Sequence, residues 1–498
     1  MHGLMREGRL NACSLLYPNH NFTPIFLVMK SILAELKTEK GRIRSMKFTG
    51  SRVVSKKFNR NQYATAIWNP RAIEWRDVIE DYLTISRKRA DNKFCLFRLQ
   101  ISILRDLLLL AEERDDYKKT LSDRLYDQSV TEEELNGDKK YIESEIAVVD
   151  LVEKALREII DGLAWRYFKY NRPILYLLAD IEEHGPLRLD PGFIKTIDHF
   201  AEIFLGEEDK AIINDISNFL RSGDITHIDA DGNIELIEVK SRKKGGGRRI
   251  TRQKQRMVEL VEFFNTGIAE YDNKKITIVD SSIKMKNHFA EVRDSILRAR
   301  NKGYDSIAIG DYLIVHIGYF GKQKDFDINK MYQYFGQKQS SIKQKWEKRG
   351  DIILRRLIMD KLRFIRNYVP FSIFPFDDEI CADVMMGKLM IEYLFNFSEV
   401  IRIVERSGWI VMDSIASWNE KQLETMTPEE RMKLSLLKVR KGKYMVNVPP
   451  AWIGMLKYEF WSVKSLIQAL DEGYQQDPNV IESDASLTNF LDDQRIWK

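Results

Sequence analysis

The chain has 498 residues, of which 44% are hydrophobic and 11% aromatic, a composition that fits a globular protein and excludes a disordered one. Charged residues make up 31%, yet the net charge is only +5, so what matters is where the cations cluster. Cys13, Cys95 and Cys381 are scattered without CxxC spacing, which suggests neither a zinc site nor a disulfide framework and fits a reduced cytoplasm.

At this length two or three domains are expected. The N-terminus lacks the charged region, apolar core and small-residue cleavage site of a signal peptide. The longest aliphatic run, "LLLL" at 107–110, is far short of the roughly 20 apolar residues that cross a bilayer, so no membrane span is expected. Residues 1–190 are expected to form a mostly helical region. Its first 85 residues show no clear period, but "LQISILRDLLLLAEERDDYKKTL" and "VVDLVEKALREIIDGLAWRYF" carry apolar residues at three-and-four spacing. "DQSVTEEELNGDKK" between them reads as a solvated connection. "EEHGPLRLDPG" has the punctuation of a boundary.

Residues 191–320 alternate helix and strand. "FIKTIDHFAEIF", "KAIINDISNFL", "ITRQKQRMVELVEFFN" and "HFAEVRDSILRARN" are expected helices; "DITHI", "IELIEVK", "KITIVD" and the pair in "SIAIGDYLIVHIG" are expected strands. This order predicts an α/β core containing a hairpin. Residues 321–498 are expected to be mostly helical, with a helix starting at Thr427-Pro428-Glu429-Glu430 and an acidic tail. No internal repeat and no Walker A sequence is present.

The informative stretch is "SGDITHIDADGNIELIEVKSRK". Asp231-Gly232 is a strong turn signal between two apolar strands. With a five-residue loop over Asp229–Asn233, Ile228 faces Ile234, Thr226 faces Leu236, and Asp224 faces Glu238. Two carboxylates that close repel each other unless a cation lies between them or one is protonated. Alternation puts Lys240 on the same face as Glu238. Two hard oxygen ligands suit Mg²⁺, with Mn²⁺ able to substitute, and the lysine is placed to orient a water or stabilise transition-state charge.

Asp224 followed after a hairpin by Glu238-Val239-Lys240 resembles the PD-(D/E)XK nuclease superfamily, which includes many restriction endonucleases. The resemblance covers about a quarter of the chain and implies a restriction-endonuclease-like α/β (α+β) core, a mixed sheet flanked by helices. It implies that Asp224 and Glu238 ligate Mg²⁺, that Lys240 assists the nucleophilic water, and that the Val239 carbonyl joins the metal shell. Ser222-Gly223 stand where the family name has proline. Many members place a glutamate on the preceding helix, for which Glu202, Glu207 and Asp215 are candidates.

The stretch 240–256 holds nine cations in seventeen residues and no acid. Arg242, Lys243, Lys244, Arg248, Arg249 and Arg252 are expected to contact a phosphate backbone. Gln253 and Gln255 resemble a glutamine that some family members carry on the following helix. A second basic stretch, 338–368, carries Trp346, Phe364 and Tyr368; it fits a nucleic-acid-binding helix pair as well as a plain amphipathic helix. "NHN" at 19–21, His199 and His227 are read as non-catalytic, and Trp409, Trp418, Trp452 and Trp461 as core.

Together these readings predict a cytoplasmic, Mg²⁺-dependent nuclease, a deoxyribonuclease ahead of an RNA endonuclease. By analogy with the family, the large flanks fit restriction or anti-phage defence, with self-association or a partner protein left open. The alternative of another class is a nucleic-acid-binding scaffold with an inactive core.

Overall fold

The structure is a computed structural model and describes residues 69–89, 92–126, 131–178, 187, 191–205, 210–220, 223–239, 258, 268–271, 274–277, 286–321, 327–358, 369–414, 437–448 and 450–476. Helix α1 (Pro70–Lys88) starts at Asn69, whose side chain accepts from Arg71 N at 3.0 Å, with proline at the first position. Helices α2 (Lys93–Tyr126) and α3 (Glu132–Tyr167) follow. Leu96, Leu99, Ile103, Leu107 and Leu110 give α2 a continuous buried stripe that packs on α3. The stretch 127–140 is not all connection: Thr131 and Glu134 close a reciprocal capping box, so α3 begins inside it.

Helix α4 (Arg172–Leu178) and helix α5 (Pro191–Leu205) lead into strand β1 (Lys210–Ile213) and a 3-10 turn at Asn214–Ile216. The expected helix "KAIINDISNFL" is therefore a strand and a turn. Tertiary contact decides this. The buried amide of Gln100 on α2 donates to Ala211 O (2.9 Å) and accepts from Ile213 N (3.2 Å), completing the outer edge of β1 as a neighbouring strand would. Strands β2 (Ile225–Ile228) and β3 (Ile234–Ile237) complete a sheet of order β1-β2-β3, and β4 (Ile268–Tyr271) pairs with β5 (Lys274–Thr277).

Beyond these come α6 (Phe289–Lys302), β6 (Tyr304–Ile309), β7 (Leu313–Tyr319), α7 (Ile328–Lys338), α8 (Ser340–Lys348) and β8 (Ile353–Leu357). A 3-10 turn (Phe371–Ile373), α9 (Asp378–Met385), β9 (Leu389–Asn396), α10 (Phe397–Arg406) and β10 (Ile410–Ser414) follow. Strands β11 (Leu437–Lys441) and β12 (Tyr444–Val448) and helices α11 (Pro450–Tyr458) and α12 (Val463–Gln476) complete the described chain. One sheet has order β6-β7-β9-β8 and another β10-β11-β12. The first joins strands from either side of residue 320.

Among its described residues the C-terminal region thus carries five strands as well as helices, where mostly helix was expected. In β9, Leu389, Ile391, Tyr393 and Phe395 are buried at a period of two, a strand pattern. The protein is mixed α and β with small antiparallel sheets. Every strand pairing among the described residues is antiparallel, so the expected mixed sheet is not found among them. Beyond β3, the expected helix over 250–265 lies outside the described residues apart from Val258, as does the start at Thr427. Among the described residues no helix is long and apolar enough to cross a membrane. All of them fall within one contact unit, Lys57–Lys498. Within it α1 is tied to α9 by Arg76 to Asp383 (2.9 Å) and Arg87 to Asp378 (3.0 Å).

Candidate metal-binding hairpin

The loop between β2 and β3 is closed by one side chain. Asp229 accepts from Asn233 N and Asn233 Nδ2, both at 2.8 Å, while Asp229 N donates to Asn233 O at 3.0 Å. Hydrogen bonds from Asn233 hold the Asp229 carboxyl below its ordinary pKa. Asp229 is thus a turn residue, and Gly232 supplies the positive φ of 89° that the turn needs. The register follows: Ile228 pairs with Ile234, His227 with Glu235, Thr226 with Leu236 and Ile225 with Ile237, as the five-residue loop predicts.

At the open end the ladder changes. Asp224 N donates to Ile237 O at 2.8 Å, so it bonds to the residue that already pairs with Ile225. Val239 N then donates to the Asp224 carboxylate (2.6 Å to Oδ2), not to a backbone carbonyl. Asp224 therefore bonds to both neighbours of Glu238, at the tip of the hairpin. The direct Asp224–Glu238 ladder pair that was expected is replaced by this bent arrangement. Asp224 and Val239 are half-buried, whereas Glu238 is exposed.

Gly223 makes the bend possible. It has φ of +76°, and a Cβ there would lie 2.9 Å from Ile237 O, so both the backbone angle and the close approach demand glycine. Proline, with φ near about −65°, cannot take this conformation.

Asn214, in the turn after β1 and only 2% exposed, fastens this corner. Its side chain donates to Gly223 O (3.1 Å) and accepts from Thr226 Oγ1 (2.8 Å), and its N–H donates to Asp224 O (3.0 Å). Helix α3 fastens the turn in its own right. Asp161 accepts from Ser217 Oγ (2.6 Å) and Asn218 N (2.8 Å), and Arg157 donates to the carbonyls of Asp215 and Ser217. These supports were missed because "NDISN" was read as helix; the clustered Asn, Asp and Ser were the available turn signal.

The other sequence-derived residues divide clearly. Lys240 and the basic set Arg242, Lys243, Lys244, Arg248, Arg249, Arg252, Gln253 and Gln255 lie outside the described residues, as do Glu207, residues 19–21 and Trp418. Glu202 bonds to His199 at 3.1 Å on α5, and Asp215 gives its carbonyl to Arg157. His227 bonds to Glu235 across the hairpin at 3.3 Å. In the second basic stretch Trp346, on α8, is fully buried, so it offers no stacking face, while Phe364 and Tyr368 are outside the described residues. Trp409, Trp452 and Trp461 are buried in the core.

Among the described residues no group of three or more His, Cys, Asp or Glu stands at metal-binding range. The hairpin tip offers the Asp224 and Glu238 carboxylates and strand-end carbonyls. This is an all-oxygen set of the kind that binds a hard divalent ion together with several waters. No protein-family model, curated relative or solved structure matches the chain.

Proposed function

We propose that the protein is a metal-dependent nuclease hydrolysing phosphodiester bonds, DNA ahead of RNA, at the open end of the β2–β3 hairpin. The observation that supports this reading is the fixed Asp224: its backbone and carboxylate bond to the two residues flanking Glu238. In this reading residues 191–320 are the restriction-endonuclease-like core of a cytoplasmic enzyme, and the helices and sheets around it serve recognition in a defence setting.

Mg²⁺, or Mn²⁺ in its place, would be held by Asp224, Glu238 and the Val239 carbonyl. Bound there it supplies Lewis acidity to a phosphoryl oxygen and lowers the pKa of a water. The chain's own residues do the rest. Asp224 and Glu238 provide the negative charge that draws the ion, and Lys240 orients the attacking water and offsets charge in the transition state. As the water oxygen bonds to phosphorus, the bond to the leaving alkoxide breaks and the alkoxide takes up a proton. Arg242, Lys243, Lys244, Arg248, Arg249 and Arg252 neutralise backbone phosphates.

The test is cleavage of circular DNA, linear DNA and RNA by the full chain with Mg²⁺, Mn²⁺ or EDTA. Asp224→Asn keeps an acceptor for Val239 N, and Lys240→Ala removes the amine. Each should lower metal-dependent cutting by about a hundredfold or more. Cutting that survives both substitutions, or proceeds in EDTA, rules the reading out.

A further inference from the structure

We propose that Lys457 and Arg356 form a phosphate-binding site where the end of α11 meets β9, beside β8 and separate from the hairpin. Lys457 lies in the last turn of α11, half-buried, with Nζ 5.4 Å from the ring centre of Tyr458 and 6.0 Å from that of Phe395. Both rings are buried. Among the described residues no carboxylate and no hydrogen-bond acceptor reaches this ammonium. The ring faces compensate only part of its lost hydration.

Arg356 lies on β8, the edge strand, and is exposed. It pairs in register with Tyr393 of β9, so the two side chains share a face of the sheet, and Phe395 lies two residues on along that face. The Tyr393 ring is 5.4 Å from that of Tyr458, the residue after Lys457. Arg356 and Lys457 thus border the same aromatic patch of Tyr393, Phe395 and Tyr458. Among the described residues Arg356 bonds only to the backbone carbonyl of Arg355, at 3.0 Å, and meets no carboxylate. Its neighbour Arg355 is different: it grips both oxygens of Glu392, at 2.7 and 3.0 Å. Burial, and then the nearby Arg356 charge, pull the Lys457 pKa down to about 8, so the two cations sense each other.

Two neighbouring cations with no acid paired to either among the described residues are stabilised by an anion that both can reach. A phosphate group suits them best: its oxygens accept a forked pair from a guanidinium and a point charge from an ammonium together. The same chemistry is offered by a free phosphate or monoester and by a phosphodiester of nucleic acid.

The experiment is titration of the full chain with inorganic phosphate by calorimetry, comparing the protein with Lys457→Met and Arg356→Gln. Methionine keeps an apolar stem against the two rings, and the Arg356 side chain is exposed, so both variants should fold. If Lys457→Met does not, Arg356→Gln carries the test alone. One saturable site, weakened about tenfold or more by each substitution, is the expected result. A 5′-hydroxyl oligodeoxynucleotide that displaces phosphate identifies a nucleic-acid ligand; one that does not assigns the site to free phosphate or a monoester. No saturable binding, or binding that both variants retain unchanged, overturns the proposal, because anions held by the 240–256 stretch would not respond to these positions.

Discussion

Replacing Gly223 with alanine tests the corner that holds Asp224. With φ at +76°, an L-residue there pays the left-handed backbone penalty of about 1–2 kcal/mol. The new Cβ would also lie 2.9 Å from Ile237 O and 3.3 Å from Ile237 N and C, all backbone atoms of β3. No flexible side chain can swing aside, so the strand itself must shift, at a further cost of about 1–3 kcal/mol. Gly232, in the same hairpin, is the internal control. Its φ is +89°, but nothing lies within 4 Å of its Cβ position, so Gly232→Ala pays only the backbone term. Gly223→Ala should therefore be the more destabilising by about 1–3 kcal/mol, read as the difference between urea midpoints at a common slope. If the site is catalytic, Gly223→Ala should also lose metal-dependent cleavage under conditions where it remains folded, while Gly232→Ala keeps it. Equal midpoints for the two variants would refute the close-approach argument.

Two other positions can be tested on stability alone. Asn214→Ala removes bonds to Gly223 O and the buried Thr226 hydroxyl and should cost about 2–4 kcal/mol. Adding Thr226→Val removes the stranded hydroxyl, so the double variant should be less destabilised than the two single effects combined; strict additivity in thermal or urea unfolding would argue that the two side chains are not coupled. His316 is 1% exposed and bonds to Ser306 at 2.8 Å, and burial, with Lys343 and Arg355 nearby, pushes its pKa down to about 3. Its folded pKa lies below the unfolded value of about 6.5, so the unfolded chain binds the proton first. Stability is full above that value and falls on acidification towards the folded pKa, by about 2 kcal/mol at pH 5. His316→Gln should flatten this part of the pH–stability curve, and an unchanged slope between pH 7 and 5 would exclude His316 as its source.

Much of the local structure could be read from the residues. The stripe Leu96–Leu110 foretold α2, and Asp231-Gly232 between apolar runs foretold both the hairpin and its register, because a period of two and a fixed loop length leave one alignment that puts Thr226, Ile228, Ile234 and Leu236 on one face. The strands after residue 321 were also legible in principle: Leu437, Val439, Tyr444, Val446 and Val448 are buried at alternate positions. What misled was the density of charge around them, which suits an amphipathic helix equally well.

The candidate site divides along the same line. The chain on its own determined that Asp224 and Glu238 would end adjacent strands, since turn chemistry and side-chain alternation are local properties. Only the tertiary structure decided how the ends meet. The edge of β1 is satisfied by Gln100 from a helix more than a hundred residues upstream (|i−j| of 111 and 113), and Arg157 and Asp161 hold the turn that carries Asn214. Because those partners are remote in sequence, no window around "NDISN" contains the forces that make it a turn. The close approach of Gly223 to Ile237 likewise exists only once β2 and β3 are paired, and it draws the Asp224 carboxylate onto Val239 N–H. Backbone groups must be satisfied wherever burial removes water, and the side chains that satisfy them here come from other parts of the chain.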